Sequence, residues 1–95
     1  MILSFGDGAT EDLFHGKASK RAARFANIEA VACRKLDMLN AANSLHDLAA
    51  SPGNHLEPLK RELKGFYSIR VNDQWRIVFM WEKGNASAVR ITDYH

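Results

Sequence analysis

The apolar positions of this chain change period midway along it. Ile28, Val31, Ala32, Leu36, Leu39 and Ala42 recur at three- and four-residue spacing. That period matches one face of an α-helix and predicts a main helix over 28–42. Glu29, Arg34, Lys35 and Asp37 fall off the stripe and are expected in solvent. From residue 66 the period drops to two. Tyr67, Ile69 and Val71 alternate with Phe66, Ser68 and Arg70; Trp75, Ile77, Phe79 and Trp81 alternate with Arg76, Val78 and Met80. Alternation of this kind predicts half-buried strands, one over 66–71 and the next from 75 onward.

Punctuation residues divide the rest. Residues 2–5 read as a short first strand, ended by the turn pair Asp7-Gly8. Thr10, followed by Glu11 and Asp12, reads as a helix cap, and Gly16 as that helix's end. The basic stretch 17–26 is expected to be helical, with Asn27 capping the main helix. Ser44 with Asp47 three residues later is a capping-box pattern, and Ser51-Pro52-Gly53-Asn54 closes the helical half. Residues 56–60 read as a short strand, Asn72-Asp73 and Gly84-Asn85 as turns, and 86–93 as the last strand. The fold class is α+β: N-terminal helices on one face of a small, curved, mainly antiparallel sheet, in one domain over 1–95.

Composition narrows the function. The chain has 95 residues, 46% hydrophobic and 25% charged, as expected of a soluble globular fold. No apolar run nears the roughly 18 residues of a membrane span, so no membrane role is expected. The first residues carry no basic stretch and no long apolar one, so no signal peptide is expected. Cys33, the single cysteine, allows no internal disulfide and fits a cytoplasmic location. Its place in the helical pattern makes it a small, buried or half-buried hydrophobe. Between Lys17 and Lys35 stand six basic residues (Lys17, Lys20, Arg21, Arg24, Arg34, Lys35) against one acid, Glu29. Lys60, Arg61, Lys64, Arg70 and Arg76 form a second group. A solvated helix face explains any one of these residues. Two clusters favour a polyanion or an acidic protein partner.

The hairpin holds the first candidate chemistry. Arg70 and Arg76 lie symmetrically about Asp73, so a tight loop sets them opposite each other on the strand face away from the helices. Like charges at that distance repel, and an anion between them would relieve it; two water-separated surface arginines are the bland reading. The C-terminal Asp93-Tyr94-His95 adds a phenol and an imidazole. The histidines, His15, His46, His55 and His95, show no ligand spacing, so no metal and no cofactor is expected.

Ser68-Ile69-Arg70-Val71-Asn72, Gln74-Trp75-Arg76 and Asp93-Tyr94-His95 together resemble the HigB toxins of HigB–HigA toxin–antitoxin systems, within the RelE/ParE superfamily. The likeness runs nearly end to end, through Met1-Ile2 to Phe5, Leu13-Phe14 with Gly16-Lys17, and Leu56-Glu57-Pro58-Leu59-Lys60. It implies a RelE-like fold and a ribosome-dependent endoribonuclease that cuts mRNA in the 30S decoding site without a metal. It also implies a helix-turn-helix antitoxin of the HigA type, with operator DNA contacted only through that antitoxin. On this reading Arg70 and Arg76 stabilise the phosphorane, because planar forks match phosphate oxygens. His95, with a reference pKa of about 6.5, is the general acid. Tyr94 stacks on a base or holds the phosphate. Lys60 adds charge or acts as the base; Glu57 and His55 are the other candidates, and activation by the ribosome is the fourth. Lys17, Lys20, Arg21, Arg24 and Lys64 are candidate RNA or ribosome contacts. A ParE-like gyrase poison and a non-catalytic antitoxin-binding co-repressor are the competing functions.

A carboxylate following the His95 ring would favour the imidazolium, which suits a general acid. A C-terminal extension is therefore expected to impair cleavage more than an N-terminal tag does. Equal cleavage by the two tagged forms would contradict this.

Overall fold

The computed structural model describes residues 1–93; Tyr94 and His95 lie outside the described residues. Three helices are followed by a sheet. They are α1 (Gly8–Phe14), α2 (Glu29–Ala41) and α3 (Leu45–Ala49). The strands are β1 (Glu57–Pro58), β2 (Phe66–Arg70), β3 (Trp75–Glu82) and β4 (Asn85–Asp93), in the order β1-β2-β3-β4 with every pairing antiparallel.

The sheet's core face carries Ile69, Ile77, Phe79, Ala86, Val89 and Ile91, all essentially inaccessible. Against them pack Phe25, Ala32, Leu36, Leu39 and Leu48 from the helical half. Burying each large apolar side chain contributes about 1.5–3 kcal/mol, so this shared layer fixes the helices on the sheet. The other face is not simply wet. Ser68, Arg76 and Val78 are buried there as well.

Several boundaries differ from the sequence reading, each for a local reason. Asp7, not Thr10, caps α1: its carboxylate accepts from the Thr10 N–H at 2.8 Å. Thr10 instead turns inward, and its hydroxyl accepts from the Ile91 N–H at 2.9 Å, tying α1 to β4. The expected basic helix is a 3-10 turn over Ala22–Ile28 that runs directly into α2, so Asn27 caps nothing. The Ser44/Asp47 capping box is present as expected. Residues 2–5 form no full strand. They lie parallel along β4 through bridges Ile2–Ala86 and Phe5–Val89. The predicted strand over 56–60 shortens to two residues because Arg61–Leu63 turns into a 3-10 helix, with Arg61 at φ 60.

The hairpins show how the sheet turns. Asn72 Oδ1 accepts from the N–H groups of Gln74 and Trp75, both at 2.8 Å, which closes the β2–β3 loop by side-chain mimicry of a turn. The β3–β4 turn is centred on Lys83 and Gly84, at φ 53 and 77, one residue earlier than Gly84-Asn85. Two positive φ values suit the right-handed twist of a two-residue hairpin. A register shift between Val78 and Met80, with Ala88 at φ 51 on the facing strand, curves the sheet as the sequence led us to expect.

One ion pair staples the N-terminal elements. Arg21 donates from Nε to Asp12 Oδ2 at 2.6 Å, and Ser19 donates to the same oxygen at 2.8 Å. Gly8 makes room for it: a Cβ there would fall 2.2 Å from Arg21 Nη1. The Arg21 hydrogen bond, then that of Ser19, holds the Asp12 carboxyl at about 2, below its ordinary 3.8. A carboxylate lowered in this way adds stability above pH 3.8 and loses it as pH falls toward about 2. Asp12→Asn should therefore flatten the fall in stability over that acid range, read by urea unfolding at stepped pH. Parallel falls in the variant and the parent chain would contradict the assignment.

Candidate functional site

Arg70 and Arg76 are directly paired across the β2–β3 hairpin, as the sequence predicted. Their surroundings correct the expectation that an anion relieves two exposed charges. Arg76 is buried, 6% exposed. Its Nε donates to Ser68 Oγ at 2.9 Å, and its Nη2 donates to the His55 carbonyl at 2.7 Å. The Glu57 carboxylate lies 3.4 Å from the same Nη2. Arg70 is half-exposed and is paired with Asp73 in the loop. Each guanidinium thus has a carboxylate of its own, and fold stability asks for no anion between them. What the arrangement does provide is a cation whose fork is fixed in direction before any ligand arrives.

The sheet register explains which residues meet. Glu57 pairs with Ser68, and Thr92 pairs with Arg76, so β1 and β4 flank the arginines from either side. His55 sits at φ 44, a left-handed backbone that aims its carbonyl at Arg76. Of the three candidate bases, Glu57 and His55 therefore lie at Arg76, His55 through its main chain. Lys60 stands three residues past Glu57, outside β1, and Lys64 lies beyond the following 3-10 turn. With Arg61, Phe66 and Tyr67, both lysines line an open groove of ≈770 Å³.

The described part of β4 ends at Asp93, which pairs with Trp75 and accepts from Gln74 Nε2 at 3.0 Å. Tyr94 and His95 continue from that point and lie outside the described residues. Beside Asp93, a cleft of ≈290 Å³ is lined by Asp7, Arg24, Trp75, Arg90 and Thr92 among others. Arg24 lies 3.7 Å from Asp7 and over the Phe25 ring. Lys17 and Lys20 are exposed, whereas Arg21 is committed to Asp12. Among the described residues no group of three or more His, Cys, Asp or Glu side chains converges.

Lys35 was missed as a site neighbour. The helical pattern placed it in solvent, yet it is buried, 8% exposed. Its Nζ donates to Asn54 Oδ1 at 2.5 Å. Burial pushes its ammonium pKa down, and the charges of Arg34 and Arg70 add to that. Only a lysine's position next to the 52–55 turn, which no period reveals, could have marked it.

Helices over a four-stranded antiparallel sheet recur in a solved toxin structure. The structure of the YoeB dimer from Staphylococcus aureus has this fold: its TM-score is 0.55 at 22% identity, covering 99% of this chain and 94% of that one. The chain belongs to the HigB-like toxin family, described as RelE-like toxins of type II toxin–antitoxin systems, whose profile matches residues 3–95. Toxin HigB-1 of Vibrio cholerae is 41% identical over 86 residues, 90% of each chain. Endoribonuclease HigB of Proteus vulgaris is 42% identical over 40 residues, 42% of this chain and 44% of its own. Membership makes this chain the toxin half of a toxin–antitoxin pair, with an antitoxin as its partner. No helix among the described residues is long and apolar enough to cross a membrane.

The partners of Arg76 differ in worth. Ser68 is fully buried, so Ser68→Ala leaves the Arg76 Nε–H without its hydroxyl acceptor. That change should cost about 1–3 kcal/mol. Glu57 is half-exposed, so Glu57→Ala should cost about 1 kcal/mol or less. Urea unfolding of both variants checks the order; a larger loss from Glu57→Ala would reverse it.

Proposed function

We propose that this toxin is a ribosome-dependent endoribonuclease that cuts mRNA in the decoding site by acid–base chemistry. The observation that carries the reading is the buried Arg76 guanidinium, fixed beside Arg70 at the end of the sheet from which Tyr94 and His95 follow. The name of the Proteus vulgaris relative, an endoribonuclease, supports the same reaction here.

The scheme uses the substrate's own 2′-hydroxyl as nucleophile. A base removes its proton, and the oxygen attacks the adjacent phosphorus. Arg76 and Arg70 stabilise the charge that builds on the phosphorane oxygens, where preorganised donors act most strongly. His95 gives a proton to the departing 5′-oxygen, and Tyr94 orients the phosphate or stacks on a base. Glu57 is already ion-paired with Arg76 at 3.4 Å, which makes it a holder of the cation as well as a base candidate. Lys60, His55 and the ribosome itself share the remaining assignment.

Lys17, Lys20, Arg24 and Lys64 suit ribosomal or messenger RNA, and Arg21 serves the fold first. Phosphate contacts of this kind would make ribosome binding fall steeply with salt. The antitoxin would be a helix-turn-helix protein of the HigA type that carries any operator contact, and the complex would work in the cytoplasm.

The test is cleavage of a defined mRNA by purified protein with and without ribosomes. Cleavage is expected only with ribosomes. Arg76→Ala and His95→Ala should each lower it by about 100-fold or more, the scale of losing one transition-state contact. Protein that is toxic in cells but cuts nothing in either condition would send the assignment to gyrase or another target. Protein that binds antitoxin yet is neither toxic nor cutting would make it a co-repressor.

A further inference from the structure

Arg76 donates one of its hydrogen bonds to a carbonyl that an ordinary turn would not supply. That carbonyl belongs to His55, whose left-handed φ of 44 is sparsely populated for a residue with a side chain. Such a conformation persists only where neighbours over-determine it. The neighbours are visible. Asn54, fully buried, precedes His55 and is held by three side-chain contacts. Its Nδ2 donates to the Leu48 carbonyl at 2.9 Å and approaches Met38 Sδ at 3.2 Å; its Oδ1 accepts from Lys35 Nζ at 2.5 Å. The backbone turn is closed by Asn54 N–H to Ser51 at 3.0 Å and His55 N–H to Pro52 at 3.3 Å.

Lys35 is an unusual residue to spend on a turn. Placing an ammonium at 8% exposure is costly, and methionine of similar length would fill the same space without that cost. Its ammonium donates to Asn54, which is itself fully buried. A buried polar network whose members are satisfied rigidifies the side chains within it. Helix α2 is also the longest helix and is anchored in the core by Ala32, Leu36 and Leu39, so it offers a rigid base.

We propose that Lys35 and Asn54 are positioning residues for the cleavage reaction: the lysine pins Asn54, Asn54 pins the left-handed His55 turn, and the His55 carbonyl aims Arg76. The inference rests on the reading of Arg76 as a phosphate-stabilising group. Neither residue touches RNA in this scheme. Their effect is on the direction of the guanidinium, where a displacement near 1 Å can cost about 100-fold in rate.

The experiment is single-turnover cleavage on ribosomes by Lys35→Met and Asn54→Ala, each alone and combined with Arg76→Ala, with melting temperature recorded for every protein. Lys35→Met keeps length and apolar character, so it decides the question should Asn54→Ala fail to fold. The expected result is a maximal rate lowered about tenfold with half-saturating ribosome concentration little changed, which marks an interaction used in the transition state. In the Arg76→Ala background the same substitution should lower the residual rate less than twofold, because its target is gone. Unchanged cleavage by Lys35→Met, or a full tenfold loss that persists without Arg76, overturns the proposal. Wild-type cleavage by Arg76→Ala alone would overturn the parent reading instead, and so the two failures are told apart.

Discussion

A guanidinium cannot be buried unless its charge and its donors are met, and this requirement organises one end of the molecule. Arg76 is met by a hydroxyl from β2, a carboxylate from β1 and a main-chain carbonyl from the turn before β1. His55 and Glu57 are neighbours in one segment, and Ser68 comes from the next strand. The antiparallel pairing of β1 with β2 and the left-handed His55 bring them to one place. Arg70, directly opposite, is held more loosely by a loop aspartate. The pair therefore combines one buried cation and one half-exposed cation.

The fold beneath this end is conventional in its physics. One apolar layer joins the helices to the sheet, and the pieces that could slip are tied by polar contacts. Thr10 ties α1 to β4, and Asp12 ties Arg21 and Ser19 beneath α1. Lys35 ties α2 to the turn at Asn54. The first two serve position within the scaffold. The third leads through Asn54 and the His55 turn toward Arg76.

Much of this was legible in sequence because it depends on period. The spacing of Ile28 to Ala42 gave α2, and the alternation through Tyr67 and Trp81 gave the hairpin and set Arg70 against Arg76. What period does not carry was missed. Thr10 resembles a cap but is needed by Ile91, and Lys35 sits off the apolar stripe yet is buried because the 52–55 turn folds over it. The burial of Arg76 was hidden for the same reason: its partners are distant in sequence, at His55 and Glu57. The candidate acid and its tyrosine, His95 and Tyr94, rest on the sequence resemblance, since they lie outside the described residues.

On the proposed reading, Arg76 acts through its fixed fork and not through charge alone. Ribosome-dependent cleavage by Arg76→Lys, with melting temperature measured alongside, tests it most directly. Lysine keeps the charge and loses the planar pair of donors. The account predicts a folded protein whose cleavage falls by about 100-fold, near the loss expected of a missing transition-state donor. Cleavage by a folded Arg76→Lys protein close to that of the unmodified toxin would contradict it.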